Sequence, residues 1–180
     1  FIMQFWNAPK PTIAAAHRYC IGGAMELMMA CDLAVAGETT RFGEPEVRFG
    51  SGIVAMLAPY VIGPKHAKEL LLTGNDKITA DRCYQMGILN RVVADGEEME
   101  AALELANQIV SAAPRSVQMI KTAIHRAYEL AEMRTALREA LEIDIKIESD
   151  ESPERREFNR IRKEQGLKAA LTWRDQNTAG

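Results

Sequence analysis

The sequence predicts an α/β fold with a helical C-terminal layer, and three observations carry that prediction. In the first fifty residues, short unbroken apolar segments alternate with a glycine-bounded segment rich in good helix formers, as expected for buried strands joined by a helix. From residue 97 onward, apolar residues recur at three- and four-residue intervals, the spacing of amphipathic helices. The sequence contains no internal repeat, and no linker separates the two parts.

The composition is that of an ordinary globular protein and excludes several classes. The 180 residues, 47% hydrophobic and 26% charged, amount to about one domain. Twenty-two basic against 25 acidic residues leave no basic excess for phosphate backbones, so we expect no nucleic-acid partner. Three widely spaced cysteines favour a reducing compartment over a disulfide framework. Neither a signal peptide nor a membrane span is recognisable, so we expect a cytoplasmic protein with no membrane partner.

The strands and the first complete helix are predicted from short patterns before residue 50. The apolar run from Phe1 to Trp6 lacks a capping residue ahead of it, so we interpret it as the end of a helix that begins upstream; a processed N-terminus is the alternative. Pro9 and Pro11 end this run. Strands are predicted at residues 12–16, 33–36 and 40–42, and a helix at residues 24–30.

Helices dominate the prediction after residue 60. Thr79 is a good N-cap for a short helix that stops at Gly87, and Ser152 is a good N-cap for the last helix. The predicted elements are helices at 66–72 and 80–86, a strand at 88–93, amphipathic helical stretches at 97–110, 114–127 and 135–147, and a last helix from 152.

Gly22 and Gly23 stand between a buried strand and a helix. The first N–H groups of a helix have no internal acceptor and lie at the positive end of its dipole, and glycine lets another group approach them closely. Glu26 follows one turn later, so we expect its carboxylate to face the same space as the N–H of Gly23. The pattern predicts an oxyanion donor and a carboxylate in one cavity; the alternative is a tight turn before a helix whose glutamate suits the dipole.

A second carboxylate, Glu46, follows Pro45 at a predicted strand end. Two carboxylates in one cleft can divide acid and base work between them, because like charges push their pKa values apart. The sequence therefore favours acid–base chemistry by Glu26 and Glu46. The alternative is that Glu44 and Glu46 are solvated loop residues.

Other residue types give weaker signals. Cys20 lies near the glycines but has no evident base partner, and a buried cysteine is usually inert. His17 lies at a strand end, a position more typical of a packed or surface histidine than of a catalytic one. His66 and His125 lie on helices without metal-ligand spacing, so we predict no metal site. Basic residues of the last helix alternate with acidic ones, which is typical of a solvated face.

Seven segments together resemble the crotonase (enoyl-CoA hydratase/isomerase) superfamily. They are KPTIAAA at 10–16, IGGAMEL at 21–27, CDL at 31–33, FGEPE at 42–46, LTG at 72–74, ITA at 78–80 and MGILNRVV at 86–93. The similarity extends from about residue 9 to about residue 174, and order, spacing and residue type agree.

The resemblance implies a spiral of ββα turns and an acyl-CoA thioester as substrate, with no separate cofactor. Residues 1–95 are then the C-terminal part of the spiral core, which carries the active site, and residues 96–180 a helical region that forms homotrimers, often paired as hexamers. The N–H of Gly23 matches one of two donors to the thioester oxygen, with Gly22 lining the substrate. The other donor and the upstream turns are expected before Phe1.

The two glutamates select among the reactions of the superfamily. Glu26 and Glu46 match positions that are both glutamate in the hydratases, which favours addition of water to a 2-enoyl-CoA with Glu26 as base and Glu46 as acid. Isomerases commonly keep only the later glutamate. The alternatives are double-bond isomerisation, another enolate reaction such as hydration of a cyclic dienoyl-CoA, and a non-catalytic member that binds a partner such as RNA.

Two further features concern the substrate. Residues 48–57 lack the Thr-Gln of many hydratases, and Met56 and Leu57 form either an apolar wall for the acyl group or plain core. The resemblance also suggests that Lys163 and Lys168, near the C-terminus, reach the CoA phosphates; the alternative for both is the solvated face.

Overall fold

The computed structural model describes residues 1–150 and 152–177. The strands are β1 (Ile13–Ala16), β2 (Tyr19–Ile21), β3 (Leu33–Gly37), β4 (Arg41–Gly43), β5 (Ile78–Thr79) and β6 (Arg91–Val93). The α-helices are α1 (Met3–Trp6), α2 (Gly23–Ala30), α3 (Ala58–Val61), α4 (Gly63–Thr73), α5 (Ala80–Met86), α6 (Glu98–Val110), α7 (Pro114–Leu130), α8 (Met133–Ser149), α9 (Pro153–Gln165) and α10 (Leu167–Asn177). A short 3₁₀ helix spans Glu46–Phe49.

Two three-stranded sheets organise the first part of the chain. One has the order β1–β3–β6 and is parallel throughout. The other has the order β2–β4–β5, with β2 parallel to β4 and β5 antiparallel to β4. The pair β1 and β2 therefore stacks on the pair β3 and β4, one strand in each sheet, and α2 connects the two pairs. This is a ββα turn followed by the start of the next turn.

Buried apolar side chains hold the sheets and the helices together. Helix α2 is apolar around most of its surface, which suits a helix packed between other elements. Burying one such side chain contributes roughly 1.5–3 kcal/mol. The largest apolar side chains with less than 2% exposure are Phe42, Met25, Leu57, Leu70 and Met133. Since Met133 belongs to α8, the helical part shares this core.

A buried lysine ties α7 to the strands. The Nζ of Lys121 donates to Oδ2 of Asp32 at 2.6 Å and to the carbonyl oxygen of Lys10 at 3.0 Å. The same carboxylate oxygen accepts from the N–H of Thr12 at 2.6 Å. Because Asp32 lies between α2 and β3, this network fixes the helical layer beside the elements that lead into the site.

Several predicted boundaries need correction. Helix α4 begins at Gly63, three residues before the predicted start. The predicted strand at 88–93 is reduced to β6, because Ile88 and Leu89 are buried in the turn that follows α5 and do not pair with a strand. Strands β2 and β5 are only three and two residues long, too short for a periodic pattern to reveal.

The predicted last helix is two helices. The first of them, α9, ends before Gly166, whose φ of 90° lies in a region that favours glycine. Helix α10 begins at the next residue. Within residues 1–150 and 152–177, none of the helices has the length and apolar character that a membrane crossing requires.

Candidate active site

The ends of two neighbouring parallel strands position the site. Strands β2 and β4 pair with Ile21 opposite Gly43, and the N–H of Gly22 extends the pairing by donating to the carbonyl oxygen of Gly43 at 2.8 Å. Parallel strands end at the same edge of a sheet, so the residues that follow β2 lie beside those that follow β4. The turn at Gly22 is thereby placed next to Glu44 and Glu46.

Gly22 lies against the carboxyl group of Glu46. Its backbone, with φ of 60° and ψ of −131°, has a conformation that residues with a β carbon rarely adopt. A β carbon on Gly22 would overlap Oε1 of Glu46. The structure therefore brings the second predicted carboxylate directly onto the residue that precedes α2.

Helix α2 presents its N-terminal end to open space. Gly23 and Ala24 are exposed, and a β carbon on Gly23 would meet no atom within 4 Å. The carbonyl oxygen of Gly22 accepts from the N–H groups of Met25 and Glu26 at 2.7 and 3.1 Å, so the chain turns into the helix at that point. The N–H of Gly23 is left for an acceptor from outside this turn.

Glu26 is buried but has two backbone donors. Its Oε1 accepts from the N–H of Val54 at 3.2 Å and its Oε2 from the N–H of Ala55 at 2.7 Å. Burial raises the pKa of Glu26, the two hydrogen bonds oppose that rise, and the charge of Asp144 adds to it. Because two N–H groups already point at its oxygens, Glu26 is the carboxyl group best prepared to carry a negative charge.

Glu44 is fully buried beside Glu46, and the solvated-loop interpretation is wrong for it. Its carboxyl group lies within hydrogen-bonding reach of that of Glu46, and no N–H or hydroxyl donor among the described residues reaches either of its oxygens. Burial raises the pKa of Glu44 to about 10, and the charges of Glu46 and Glu26 contribute. Nothing in the sequence around Glu44 distinguishes it, because one glutamate beside a proline carries no burial signal.

Glu46 is partly buried, with a raised pKa. Burial is the main cause and the charge of Glu26 adds to it. The hydrogen bond from the backbone N–H of Glu46 itself, the interaction with Glu44 and the charge of Arg174 oppose it. Glu26, Glu44 and Glu46 thus form one acidic cluster. Since like charges at this range disfavour simultaneous ionisation, the acidic cluster holds at least one proton near neutral pH.

The acidic cluster has a consequence for stability that can be measured. A buried carboxyl group with a raised pKa stabilises the fold fully below its unfolded-state pKa, and that contribution is lost as the pH rises towards its folded-state pKa. For Glu44 this window extends from 4.5 to about 10. We expect Glu44→Gln, which cannot ionise, to gain stability relative to the wild type by up to about 4 kcal/mol between pH 5 and pH 8.

Urea unfolding of both proteins at the two pH values gives that difference. The titrating groups outside the acidic cluster are common to both proteins and largely cancel in the comparison. An equal gap between the two proteins at pH 5 and pH 8 would contradict the raised pKa of Glu44.

Asp144 of α8 is a further residue of the site that no sequence pattern predicts. It is buried, its Oδ1 has no hydrogen-bond partner among the described residues, and a β carbon on Gly52 would overlap that oxygen. Asp144 therefore packs on the loop that carries the two N–H donors to Glu26. The contact joins positions almost a hundred residues apart, and no local pattern marks it.

Comparison with known proteins assigns the chain to a family. The family model described as enoyl-CoA hydratase/isomerase matches residues 2–160. The chain belongs to this family. A short-chain-enoyl-CoA hydratase of Clostridium acetobutylicum is 39% identical over 133 residues, which cover 71% of this chain and 49% of that protein. A carnitinyl-CoA dehydratase of Salmonella typhi is 38% identical over 130 residues, covering 70% and 49%.

A solved structure confirms the crotonase-like fold. The crystal structure of an enoyl-CoA hydratase/isomerase from Xanthobacter autotrophicus Py2 matches with a TM-score of 0.93 at 46% identity, covering 97% of this chain and 65% of that one. The predicted α/β class and the resemblance to the crotonase superfamily are both confirmed. The chain spans about half the length of the curated relatives it matches.

The two lysines suggested for CoA lie on the C-terminal helices of this family member. Lys163 on α9 and Lys168 on α10 are both exposed. Lys168 lines an open surface groove with Trp173 and other residues of these helices, and the lining of this groove includes no member of the acidic cluster. The structure does not bring either lysine into contact with Glu26 or Glu46.

Two other expectations concern the segment after Glu46 and the cysteines. Ala55 and Leu57 belong to the main core, which favours plain packing for that part of the segment, while Val54 is exposed. Burial raises the pKa of Cys20 to about 12, so its thiol is unsuited to nucleophilic attack. Among the described residues, no His, Cys, Asp and Glu side chains are grouped as a metal site requires.

Proposed function

We propose that the protein is an enoyl-CoA hydratase that adds water across the 2,3 double bond of a 2-enoyl-CoA thioester. The observation that supports it most is the placement of two carboxyl groups, Glu26 and Glu46, at the open N-terminal end of α2. Hydration needs a base, an acid and a donor to the thioester oxygen, and Glu26, Glu46 and the N–H of Gly23 have the chemistry for these three roles. The relatives named hydratase and dehydratase support the same reaction class.

Each residue has a distinct role in the proposed reaction. Glu26, held as a carboxylate by two N–H groups, takes a proton from a water molecule as the water oxygen attacks the β carbon. The electron pair of the double bond moves towards the thioester, and the N–H of Gly23 stabilises the enolate oxygen. Glu46, protonated, gives its proton to the α carbon, and the double bond becomes a single bond with H and OH added.

Typical magnitudes indicate how much each group contributes to the rate of the proposed reaction. A positioned acid or base typically contributes 10²- to 10⁴-fold in rate. One oxyanion donor typically contributes about 3 kcal/mol of transition-state stabilisation. Glycine at position 22 contributes indirectly, because only a residue without a β carbon lets Glu46 lie against the start of α2.

The second candidate is a double-bond isomerase or another enolate reaction. It needs only one carboxyl group to move a proton between two carbons, whereas hydration uses two. Both Glu26 and Glu46 lie in the acidic cluster, which favours hydration. A non-catalytic protein that binds RNA is a poorer explanation, because the chain has no basic excess and retains both glutamates.

Incubation of the full-length protein with crotonyl-CoA tests the proposal. We expect the absorbance of the conjugated enoyl thioester to fall with time as 3-hydroxybutyryl-CoA forms, which mass spectrometry detects as a gain of one water. A 3-enoyl-CoA converted to the 2-enoyl isomer, with no gain of water from crotonyl-CoA, would instead identify an isomerase.

The remaining parts of the proposal concern the setting of the reaction. We propose homotrimers, or hexamers made from them, because apolar side chains on α7 and α8 are exposed and self-association would cover them. They include Met119, Ile120, Ile124, Ile143 and Ile145. CoA enters as part of the substrate, with Lys163 and Lys168 as proposed phosphate contacts, so no separate cofactor is required. A cytoplasmic location is proposed from the unpaired cysteines.

A further inference from the structure

Glu44 is the most completely buried member of the acidic cluster. It has no exposed surface, and no N–H or hydroxyl donor of the described residues contacts its two oxygens. Its polar neighbour is the carboxyl group of Glu46, which lies within hydrogen-bonding reach and whose own Oε2 is buried without a donor among the described residues. The proposed reaction uses Glu26, Glu46 and Gly23 and gives Glu44 no task.

The cost of burying a negative charge decides whether Glu44 or Glu46 holds its proton more firmly. An ionised carboxylate at the position of Glu44 would be buried without a cation or an N–H donor, which is very costly. Glu26 has two backbone donors, and Glu46 is only partly buried. The proton therefore stays on Glu44, which becomes an O–H donor, and Glu46 is its acceptor.

We propose that Glu44 is a positioning residue that retains its proton and donates a hydrogen bond to Glu46, holding the acid against Gly22 and stabilising the charge left when it protonates the α carbon. This inference rests on the proposed hydration and deepens it. No proton leaves Glu44 during the reaction. Its O–H bonds to the neutral Glu46 before the transfer and to the Glu46 carboxylate afterwards, and a hydrogen bond to a charged acceptor is about twice as strong as one to a neutral acceptor.

The surroundings of Glu44 contain no group that replaces this donor. Cys20 of β2 lies within its electrostatic range but is a neutral thiol, and Glu26 of α2 adds negative charge. Arg174 of α10 acts on Glu46 from a distance while it hydrogen-bonds to Asp76 at 2.6 Å. Among the described side chains that act on Glu46, Glu44 is thus the one that hydrogen-bonds to it, beside the backbone N–H of Glu46 itself.

Two neutral variants of nearly equal size test the donor. Glu44→Gln keeps an N–H donor, whereas Glu44→Met keeps the length and removes it. We expect kcat for crotonyl-CoA hydration to stay within about threefold of wild type in Glu44→Gln and to fall roughly 10- to 100-fold in Glu44→Met, with little change in KM. Equal loss in both variants, or full activity in Glu44→Met, would overturn the proposal.

The pH profile separates positioning from packing. The donor lowers the pKa of Glu46, so its removal raises that pKa. Glu46 acts as the protonated acid, so the high-pH limb of kcat/KM should move to higher pH in Glu44→Met and remain in place in Glu44→Gln. A packing role alone would lower stability in Glu44→Met and leave the limb unmoved, which would count against the proposal.

An infrared measurement tests the proton on Glu44 without relying on activity. We expect the wild type at pH 8 to show the carbonyl stretch of a protonated carboxylic acid, with a component that is lost in Glu44→Gln and persists in Glu46→Gln. Absence of this band from the wild type contradicts the inference even if hydration is observed. A protein that shows the band but does not hydrate crotonyl-CoA contradicts the proposed function while the proton assignment holds.

Discussion

Replacement of either Glu26 or Glu46 by glutamine is expected to lower kcat for crotonyl-CoA hydration by about 10²- to 10⁴-fold. Glutamine keeps the shape of glutamate but neither accepts nor releases a proton at neutral pH. The loss should appear mainly in kcat, because the proposed roles are exercised in the transition state. The double variant should lose much less than the product of the two single losses, since both groups act on one water molecule.

The two variants should differ in stability. Glutamine at position 26 turns its NH₂ group towards one of the N–H donors of Val54 and Ala55, which removes a hydrogen bond worth about 1–3 kcal/mol. Glu46 has one backbone donor, its own N–H, which the amide oxygen of glutamine can keep, so Glu46→Gln should unfold at a urea concentration closer to that of wild type. Exposed Glu100 on α6 provides the matched control, and Glu100→Gln should change neither activity nor stability.

Hydration that survives both single substitutions at wild-type rate would remove the proposed acid–base mechanism. If only Glu26→Gln retains turnover, the base has been assigned to the wrong carboxylate and Glu46 acts alone. The assay therefore tests each assignment separately.

Gly22→Ala is expected to abolish activity by displacing Glu46. The new methyl group occupies the space of Oε1 of Glu46, so the acid must turn away from the start of α2. The loss of kcat should approach that of Glu46→Gln, about 10²-fold or more. The positive φ adds roughly 1–2 kcal/mol of backbone strain in the folded state.

Gly87→Ala separates strain from displacement. Gly87 also has a positive φ, of 84°, but a β carbon there would meet no atom within 4 Å. This control should lose a similar amount of stability in urea unfolding and keep its kcat. Equal kcat in Gly22→Ala and wild type would show that Glu46 does not need its observed position.

The sequence predicted the candidate site best where the periodicity of a single helix determines the position of a residue. A glycine pair before a helix places Glu26 one turn from the helix start, and the structure has that helix begin at Gly23. The convergence of Glu46 depends on the parallel pairing of β2 and β4, which short apolar segments suggest but do not specify in register. Residue type and order were therefore sufficient for the fold class, while the contact between Glu46 and Gly22 depends on the register of the two strands.

What the sequence could not predict depends on burial and on distant contacts. Glu44 resembles any loop glutamate until the packing around it removes water. The N–H donors of Val54 and Ala55 are 28 and 29 residues from Glu26 and belong to irregular backbone, whose path follows from tertiary packing. Gly166 was visible, but the division of the last helix there depends on how α10 packs on α9.

The contact between Gly22 and Glu46 links the divergence of these two positions among descendants of this sequence. A lineage that acquires a side chain at position 22 loses room for a long carboxylate at position 46, so the two changes must occur together or in the order 46 before 22. Descendants that keep glycine remain free to vary position 46 and with it the reaction. In this lineage, a change of reaction is thus more accessible by substitution at position 46 than by substitution at position 22.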